Sequence, residues 1–264
     1  MELTIVGCSG SVSGPETAAS SYLIRAPYDD GVFALVLDLG PGAYGALSRH
    51  LDPAEVGAVG LSHLHADHCL DLCSYYVAAK YSPSAPWARL ALYGPSGAAD
   101  RIARAYEGSV DEETLRQTRS AMADQLEFRD WQPSQRVGPF EVRTARVEHP
   151  VETYAIRVTE LAGSQPSIVY SGDTGPCEAL TELAAGADLL LAEASFLDQP
   201  DNPPELHLTG REAAEVAQRA GVGALLLTHI PPWYDPRKVR AEASPHFDGP
   251  VELAVAGATW LVGT

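Results

Sequence analysis

The chain has 264 residues, of which 45% are hydrophobic and 20% charged, so it can bury a substantial core and is not a disordered chain. Its 35 acidic residues outnumber 18 lysines and arginines, which gives a formal net charge of -17. This balance argues against a protein whose surface grips a nucleic-acid backbone, because such a surface needs clustered basic side chains. We attribute the acidic balance mainly to solubility.

Short β-rich runs alternate with helical stretches along the whole chain. The predicted strands are residues 3–6, 21–25, 32–37, 58–61, 89–93, 140–147, 154–158, 167–170, 188–192, 224–227 and 251–254. The predicted helices are residues 42–50, 67–80, 96–106, 111–123, 176–184, 209–220 and 236–243. This order predicts an α/β fold in one domain of residues 1–264, with two sheets packed face to face and helices outside. Residues 101–131, the most polar helical stretch, are interpreted as an excursion over the active-site face.

The N-terminus and the cysteines indicate the compartment. Met1 runs straight into a predicted strand, without the basic head and apolar stretch of an export signal. No apolar run approaches the ~20 residues of a membrane span. Cys69 and Cys73 could clip a metal, but free buried thiols on one helix face are the interpretation we favour. A cytoplasmic protein without membrane association is expected.

Three histidines and an aspartate lie within six residues, at His63, His65, Asp67 and His68. A predicted strand precedes them and a predicted helix follows, so they lie on the connecting loop. Alternation along an extended segment places His63 and His65 on the same side, where both imidazoles can bind one cation. Asp67 and His68, at the first helical turn, are offset and offer ligands to a second cation. The alternative, polar loop residues with an aspartate capping a helix, leaves the three histidines unexplained.

Four further candidates lie at the ends of predicted elements. His149, Asp173 and His229 each follow a predicted strand, the position where the active sites of layered α/β folds collect. Each of them alone would more often be an ordinary polar residue at a strand end. His207 precedes a helix whose start is marked by a capping pattern, so it is either a solvent-exposed loop residue or a side chain that points into a pocket.

With these motifs in order, the sequence resembles the metallo-β-lactamase superfamily, specifically its phosphodiesterase and ribonuclease Z-like branch. The resemblance implies a four-layer αββα sandwich of two mixed β-sheets with helices outside. It spans nearly the whole chain and rests on the motifs Gly7-Cys8-Ser9-Gly10-Ser11, Leu37-Asp38-Leu39-Gly40, residues 62–68, His149, residues 171–174, Glu193-Ala194-Ser195, His207-Leu208-Thr209 and Thr228-His229.

The resemblance also implies a role for each site residue. Two divalent metal ions are expected, with zinc favoured and manganese or iron as alternatives. One metal would be held by His63, His65 and His149, the second by Asp67, His68 and His229, and both would be bridged by Asp173. Asp67, Glu193 and His207 are the expected catalytic residues, with Glu193 orienting and His207 stabilising or protonating phosphate oxygens. Ser9 and Trp233 are the candidate substrate contacts, although Trp233 and Tyr234 are equally plausible as packing aromatics.

Differences between this sequence and other members of the branch favour some substrate classes over others. A bridging aspartate in place of a cysteine points away from β-lactam hydrolysis and toward phosphodiesters. The interval from His149 to Asp173 has no room for the projecting arm with which ribonuclease Z enzymes clamp tRNA, and residues 15–20 lack the Arg-Asn of their substrate loop. The pattern looks most like actinobacterial members described as cyclic-nucleotide phosphodiesterases.

The sequence therefore predicts hydrolysis of a small cyclic nucleotide such as cAMP, with structured tRNA disfavoured as a partner. An RNA 3′-end endonuclease is the main alternative, and lactone or thioester hydrolysis is a more distant one. A non-catalytic metal-binding relative is a third, disfavoured because every ligand position is filled. The oligomeric state is open, and a homodimer is the commonest case.

Overall fold

Two mixed β-sheets form the centre of the computed structural model, which describes residues 1–108 and 110–263. The first sheet contains β1 (Glu2–Ser9), β2 (Ala18–Ala19), β3 (Ser21–Tyr28), β4 (Gly31–Leu37), β5 (Ala58–Gly60), β6 (Leu90–Gly94), β7 (Leu126–Asp130) and β15 (Thr259–Leu261). The second contains β8 (Ser134–Val137), β9 (Phe140–Arg146), β10 (Tyr154–Glu160), β11 (Ser167–Tyr170), β12 (Leu189–Glu193), β13 (Ala224–Thr228) and β14 (Val251–Leu253).

Both sheets combine an antiparallel part with a parallel part. The first has the strand order β15-β1-β3-β4-β5-β6-β7, with β2 beside β1, and is parallel from β4 to β7. The second has the order β14-β13-β12-β11-β10-β9-β8 and is parallel from β11 to β14. Parallel neighbours end at the same edge of a sheet, so the loops that follow β5, β11, β12 and β13 can converge.

Helices cover the outer face of each sheet. They are α1 (Ala43–Leu47), α2 (Ala66–Cys69), α3 (Leu72–Tyr81), α4 (Ala98–Glu107), α5 (Glu112–Met122), α6 (Glu178–Ala184), α7 (Gly210–Ala220) and α8 (Pro236–Ala243). Helices α1 to α5 share a core with the first sheet, and α6 to α8 share one with the second. A third core lies between the sheets. The predicted four-layer αββα sandwich is confirmed.

The inner strands are buried on both faces, which explains their nearly continuous apolar runs. In β3, Tyr22 and Ile24 pack against the second sheet, whereas Leu23 between them packs toward the outer helices. The same alternation places Leu35 inside and Val36 outside in β4. A strand whose successive side chains enter two different cores needs apolar residues at every position.

A tight hairpin joins β3 and β4. Strands β3 and β4 are antiparallel, with Tyr28 opposite Gly31, and the loop between them consists of Asp29 and Asp30. Asp29 has a φ of 50°, in the left-handed region that short hairpin turns require and that aspartate tolerates.

The helix predicted over residues 67–80 is interrupted, because tertiary hydrogen bonds replace helical ones at its start. The backbone N–H of Leu39 donates to the carbonyl of His68 at 2.8 Å, and the N–H of Asp71 donates to the carbonyl of Leu39 at 3.0 Å. The Asp71 side chain also accepts from the N–H of Tyr44 at 2.9 Å. These bonds anchor the histidine-rich segment to the loop after β4, and α3 begins only at Leu72.

Residues 101–131 do not form the excursion that the sequence suggested. Ile102 of α4 and Leu115 of α5 belong to the outer core of the first sheet, and β7 forms that sheet's edge. Strands β2, β7, β8 and β15 were not predicted. β7 and β8 are edge strands of polar sequence, and β2 and β15 span only two and three residues. None of the helices in the described residues is long and apolar enough to cross a membrane.

Candidate metal centre

The predicted ligands lie beyond the ends of strands from both sheets. His63 and His65 follow β5 of the first sheet, and His149, Asp173 and His229 follow strands β9, β11 and β13 of the second. Asp67 and His68 lie in the short helix α2. The structure brings these seven side chains together at one edge of the sandwich, where they form two groups of convergent ligand atoms.

The first group consists of three imidazoles and a carboxylate. His65 Nδ1 lies 3.1 Å from His63 Nε2 and 3.2 Å from His149 Nε2. Asp173 Oδ2 lies 3.7 Å from His63 Nε2. The ligand atoms of this group all lie within 4.8 Å of one another.

The second group consists of two carboxylates and two imidazoles. His68 Nε2 lies 3.2 Å from His229 Nε2, and Asp67 Oδ2 lies 3.1 Å from the same His229 atom. Asp173 Oδ2 lies 3.3 Å from His68 Nε2, so Asp173 belongs to both groups. His68, His229 and Asp173 are almost completely buried.

The spacing of these atoms fits metal ligation. In a tetrahedral site with zinc–nitrogen bonds of about 2.0–2.1 Å, neighbouring ligand nitrogens lie about 3.3 Å apart. The observed nitrogen–nitrogen distances of 3.1–3.2 Å are close to this value. Asp173 Oδ1 is buried and has no hydrogen-bond partner among the described residues, as expected for an oxygen whose partner is a cation. The two His/Asp groups are therefore able to bind metal ions.

The hydrogen bonds on the far side of four imidazoles fix the tautomer that ligation requires. In each ring, when it is neutral, Nδ1 can donate to an oxygen outside the groups, which leaves Nε2 without a proton and facing the other ligands. The acceptors are Ser62 Oγ at 3.0 Å for His63, Asp38 Oδ2 at 2.7 Å for His68, the Leu206 carbonyl at 2.9 Å for His149 and Ser195 Oγ at 2.8 Å for His229.

Asp38 lies at the centre of this outer network, although it was not among the predicted site residues. Its Oδ2 accepts from Tyr170 Oη at 2.8 Å and from Ser62 Oγ at 2.7 Å, in addition to His68 Nδ1. Its Oδ1 accepts from the Ser62 N–H at 2.7 Å. These four bonds compensate for the complete burial of the carboxylate. Its sequence signals were its place in the motif Leu37-Asp38-Leu39-Gly40 and its position directly after an apolar strand.

Close backbone contacts hold the loops that carry the ligands. A Cβ at Gly40 would lie 1.9 Å from the Asp67 carbonyl, and a Cβ at Gly10 would lie 2.1 Å from the His229 carbonyl, so both positions require glycine. His229 itself has a φ of 53°, a conformation that costs a non-glycine residue about 1–3 kcal/mol. The packing of Gly10 against His229 helps to maintain this strained backbone.

Burial and neighbouring charges set the protonation of the ligands. Burial lowers the pKa of His63, His65 and His149, which favours the neutral imidazole that binds metals. Burial alone would raise the pKa of Asp173, but the adjacent imidazoles, above all His229, hold it well below its usual range. The carboxylate that the two groups share is therefore ionised.

Glu193 and His207 form a pair beside the ligands. His207 Nδ1 donates to Glu193 Oε1 at 2.8 Å, and the N–H of Thr174 donates to the same oxygen at 3.0 Å. Glu193 Oε2 accepts from the N–H of Ser195 at 3.0 Å. Burial alone would lower the pKa of His207, but the carboxylate of Glu193 raises it to about 9. The His207 side chain is 13% exposed and its ring centroid lies 5.8 Å from that of His229. The His207 imidazole is therefore protonated where it faces the two ligand groups. The predicted capping box is present at the start of the next helix, α7.

The two predicted substrate contacts lie in different surroundings. Ser9 is buried, at 2% exposure, and pairs with Ile230 next to His229. Trp233 is 61% exposed, and its ring lies 6.3 Å from that of Tyr234. Cys69 and Cys73 are free thiols, as the sequence suggested, but they do not share a helix face, because Cys69 ends α2, Cys73 lies in α3, and Cys73 is only partly buried. The Cys69 thiol donates to the His65 carbonyl at 3.2 Å.

Comparison with known proteins identifies the family. Residues 35–230 match the family described as Beta-lactamase superfamily domain. The chain belongs to the metallo-β-lactamase superfamily. The uncharacterized protein Rv1339 of Mycobacterium tuberculosis is 45% identical over 99% of this chain and 92% of its own length.

Two other relatives indicate the branch within the superfamily. The probable metallo-hydrolase YhfI of Bacillus subtilis is 29% identical over 98% of this chain and 99% of its own length, and its crystal structure superimposes with a TM-score of 0.80. A ribonuclease Z of Mycobacterium bovis is 29% identical over 96% of this chain and 95% of its own length. The chain is thus a metallo-hydrolase of this fold, with relatives in the ribonuclease Z and phosphodiesterase branch.

Proposed function

We propose that the protein is a metal-dependent phosphodiesterase that opens a small cyclic nucleotide such as cAMP. The observation that carries the proposal is the position of the His207–Glu193 pair beside two ligand groups that share Asp173. Two cations bound there would activate water near neutral pH and neutralise the charge of a phosphodiester. His63, His65 and His149 would hold one of them, Asp67, His68 and His229 the other, and Asp173 both.

Two side chains protonate the leaving group and orient the attacking water. His207, held protonated by Glu193, donates its proton from Nε2 to the departing sugar oxygen and stabilises charge on the phosphate. Asp67 keeps a partly exposed carboxylate at the edge of the second group, where it orients the attacking water. Phosphoryl transfer requires little covalent chemistry from the protein, which mainly positions the reacting groups.

A small substrate is favoured over tRNA because the chain offers little to bind a long phosphate backbone. Strands β10 and β11 are joined by residues 161–166 alone, which leaves no arm between His149 and Asp173. The net charge of -17 opposes the many phosphate contacts that tRNA binding needs. A cyclic nucleotide needs no such surface, since cations inside the site can neutralise its single phosphate.

The test compares kcat/KM for cAMP with cleavage of a 3′-extended tRNA precursor by the same metal-loaded protein at one salt concentration. We expect turnover of cAMP and no accurate trimming of the precursor. Efficient trimming with negligible cAMP turnover would establish the ribonuclease alternative, which the name of the Mycobacterium bovis relative supports. A lactone, a thioester and a β-lactam in the same screen test the more distant hydrolase activities.

A further inference from the structure

Ser195, directly beyond the end of β12, contacts both the second ligand group and the His207–Glu193 pair. The residue is buried, at 1% exposure. Its hydroxyl forms hydrogen bonds to His229, and its backbone N–H donates to Glu193. Resting on the proposed phosphodiesterase activity, we propose that Ser195 is a positioning residue. It holds His229 in the form that binds a cation, and it fixes this ligand relative to the proton donor His207.

Two neighbouring inner strands bring Ser195 to His229. Strands β12 and β13 are parallel, with Glu193 opposite Thr228 at their ends. The N–H of Ala194 then donates to the carbonyl of Thr228 at 3.0 Å, so the two chains leave the sheet side by side. The contact between Ser195 and His229 is therefore built on strands whose positions the sheet fixes, which suits a residue that must place a ligand accurately.

The two contacts of the Ser195 hydroxyl determine where its single proton lies. Ser195 Oγ is 2.9 Å from the carbonyl oxygen of His229 and 2.8 Å from Nδ1 of the same residue. A carbonyl oxygen can only accept, so the hydroxyl donates its proton there and accepts from Nδ1 of the ring. The neutral His229 ring is thereby held with its proton on Nδ1, and Nε2 keeps the lone pair that a cation needs.

Asp67 would favour the opposite tautomer if the Ser195 hydroxyl were absent. Asp67 Oδ2 lies 3.1 Å from His229 Nε2, and an ionised carboxylate is a strong hydrogen-bond acceptor. A neutral His229 ring without a partner at Nδ1 would therefore carry its proton on Nε2 and donate it to Asp67. That proton would lie where both residues are expected to hold the second cation. The hydroxyl of Ser195 thus stabilises the ligand form of His229 against a competing hydrogen bond.

The bond to the carbonyl also supports the backbone that directs the His229 ring. His229 has a φ of 53°, in the left-handed region that is unfavourable for a residue with a side chain. Its carbonyl packs closely against Gly10 of the loop after β1, where a Cβ would lie 2.1 Å from the oxygen. The hydrogen bond from Ser195 compensates this buried carbonyl and contributes to keeping the strained conformation.

The backbone of Ser195 acts on the other half of the proposed reaction. Its N–H donates to Glu193 Oε2 at 3.0 Å, while Glu193 Oε1 accepts from His207 Nδ1 at 2.8 Å. A change of the Ser195 side chain leaves this N–H in place. The hydroxyl should therefore affect His229 and the second cation, whereas the protonation of His207 should be independent of it.

NMR of ¹⁵N-labelled histidines tests the tautomer directly in the metal-free protein at alkaline pH. We expect His229 to have the Nδ1–H form in wild type and to shift toward the Nε2–H form in Ser195→Ala. The spectrum of His229→Gln identifies its signals. The matched control is Ser21→Ala, which removes a buried hydroxyl of β3 that has no hydrogen-bond partner among the described residues and should leave His229 unchanged. An Nδ1–H form that persists in Ser195→Ala would overturn the proposal.

Chelator competition and kinetics test the two halves in the metal-loaded protein. Ser195→Ala should weaken the binding of one metal about 10- to 100-fold, as for loss of the partner that orients a metal-bound histidine, and leave the other unchanged. The alkaline limb of kcat for cAMP, which reports His207, should stay in place because Glu193 keeps its hydrogen bonds. Unchanged affinity for both metals would overturn the positioning role. A displaced alkaline limb would also overturn it, since the substitution would then disturb both halves.

Failure of the proposed function can be distinguished from failure of this inference. A wild-type protein that does not hydrolyse cAMP would refute the phosphodiesterase activity, but the NMR and chelator measurements use no substrate and would still support or overturn the role of Ser195. A metal-free wild-type protein in which neutral His229 has the Nε2–H form would overturn the inference whatever the activity.

Discussion

The His207–Glu193 pair offers the sharpest test of the chemistry, because its two members should have separable effects. Removing a general acid typically costs 10²–10⁴-fold in rate, which corresponds to about 3–5 kcal/mol in the activation free energy. We expect His207→Ala to lower kcat for cAMP by this factor and to leave the metal content unchanged, since the seven ligands at the two groups do not include His207. The 2.8 Å bond to a fully buried Glu193 is what gives the imidazole its charge.

The leaving group distinguishes proton donation from a general loss of structure. The sugar alkoxide needs a proton as it departs, whereas the p-nitrophenolate of bis(p-nitrophenyl) phosphate departs readily without one. His207→Ala should therefore cost at least about tenfold more with cAMP than with the activated diester. Equal losses on the two substrates would show that His207 does not act as the proton donor.

The pH profile of Glu193→Gln provides the second half of this test. With Glu193 in place the pKa of His207 is raised to about 9, so the protonated donor is present below that pH and is lost as pH rises through it. Without the carboxylate, burial lowers the pKa, and the alkaline limb of the profile should move to lower pH. We would measure kcat against pH for cAMP in wild type and variant. An alkaline limb that stays in place would refute the coupling between the two residues.

Further predictions concern the metals and the network around them. Metal analysis should find close to two metals per chain, fewer in His65→Ala, and an unchanged number in His246→Ala, whose imidazole is exposed and belongs to none of the ligand groups. Tyr170→Phe removes a hydrogen-bond donor from Asp38, which orients His68. In a chelator competition the metal at His68 should therefore bind roughly tenfold more weakly, with no change at the site of His63, His65 and His149. Equal weakening at both sites would contradict this prediction. Chelation should lower Tm by roughly 10–20 °C in calorimetry if both metals are present at about 100 times their Kd. An unchanged Tm would show that the metals add nothing to stability.

Much of the fold could be predicted because its information is local. A two-residue turn at Asp29-Asp30, apolar runs of strand length and a helix-capping pattern each depend on neighbours in sequence. The histidine-rich segment is readable for the same reason, since its residues lie within six positions. The break before Leu72 was not predictable, because the backbone of Leu39 competes for the hydrogen bonds of that helix from thirty residues away.

The hydrogen-bond network of Asp38 around the ligands could not be predicted from the sequence, for a related reason. Asp38 receives hydrogen bonds from Ser62, His68 and Tyr170, which lie 24, 30 and 132 positions away in the chain. A single aspartate after a strand carries no sign of those partners. The polar edge strands β7 and β8 were missed because an edge strand is half exposed and loses the apolar pattern by which inner strands are found.

The candidate metal centre ties the two sheets together. The first sheet supplies His63, His65 and the loop of Asp67 and His68, whereas the second supplies His149, Asp173 and His229. Asp38, outside the ligand groups, also connects the two sheets. It follows β4 of the first sheet and accepts a hydrogen bond from Tyr170 in β11 of the second. Cations bound between these side chains can therefore join the two halves of the sandwich, so the packing of the sheets and the binding of metals stabilise one another. If all ligands came from one sheet, their relative positions would not change when the two sheets move relative to each other. Here the ligands come from both sheets, so the site forms only when the sheets are packed correctly.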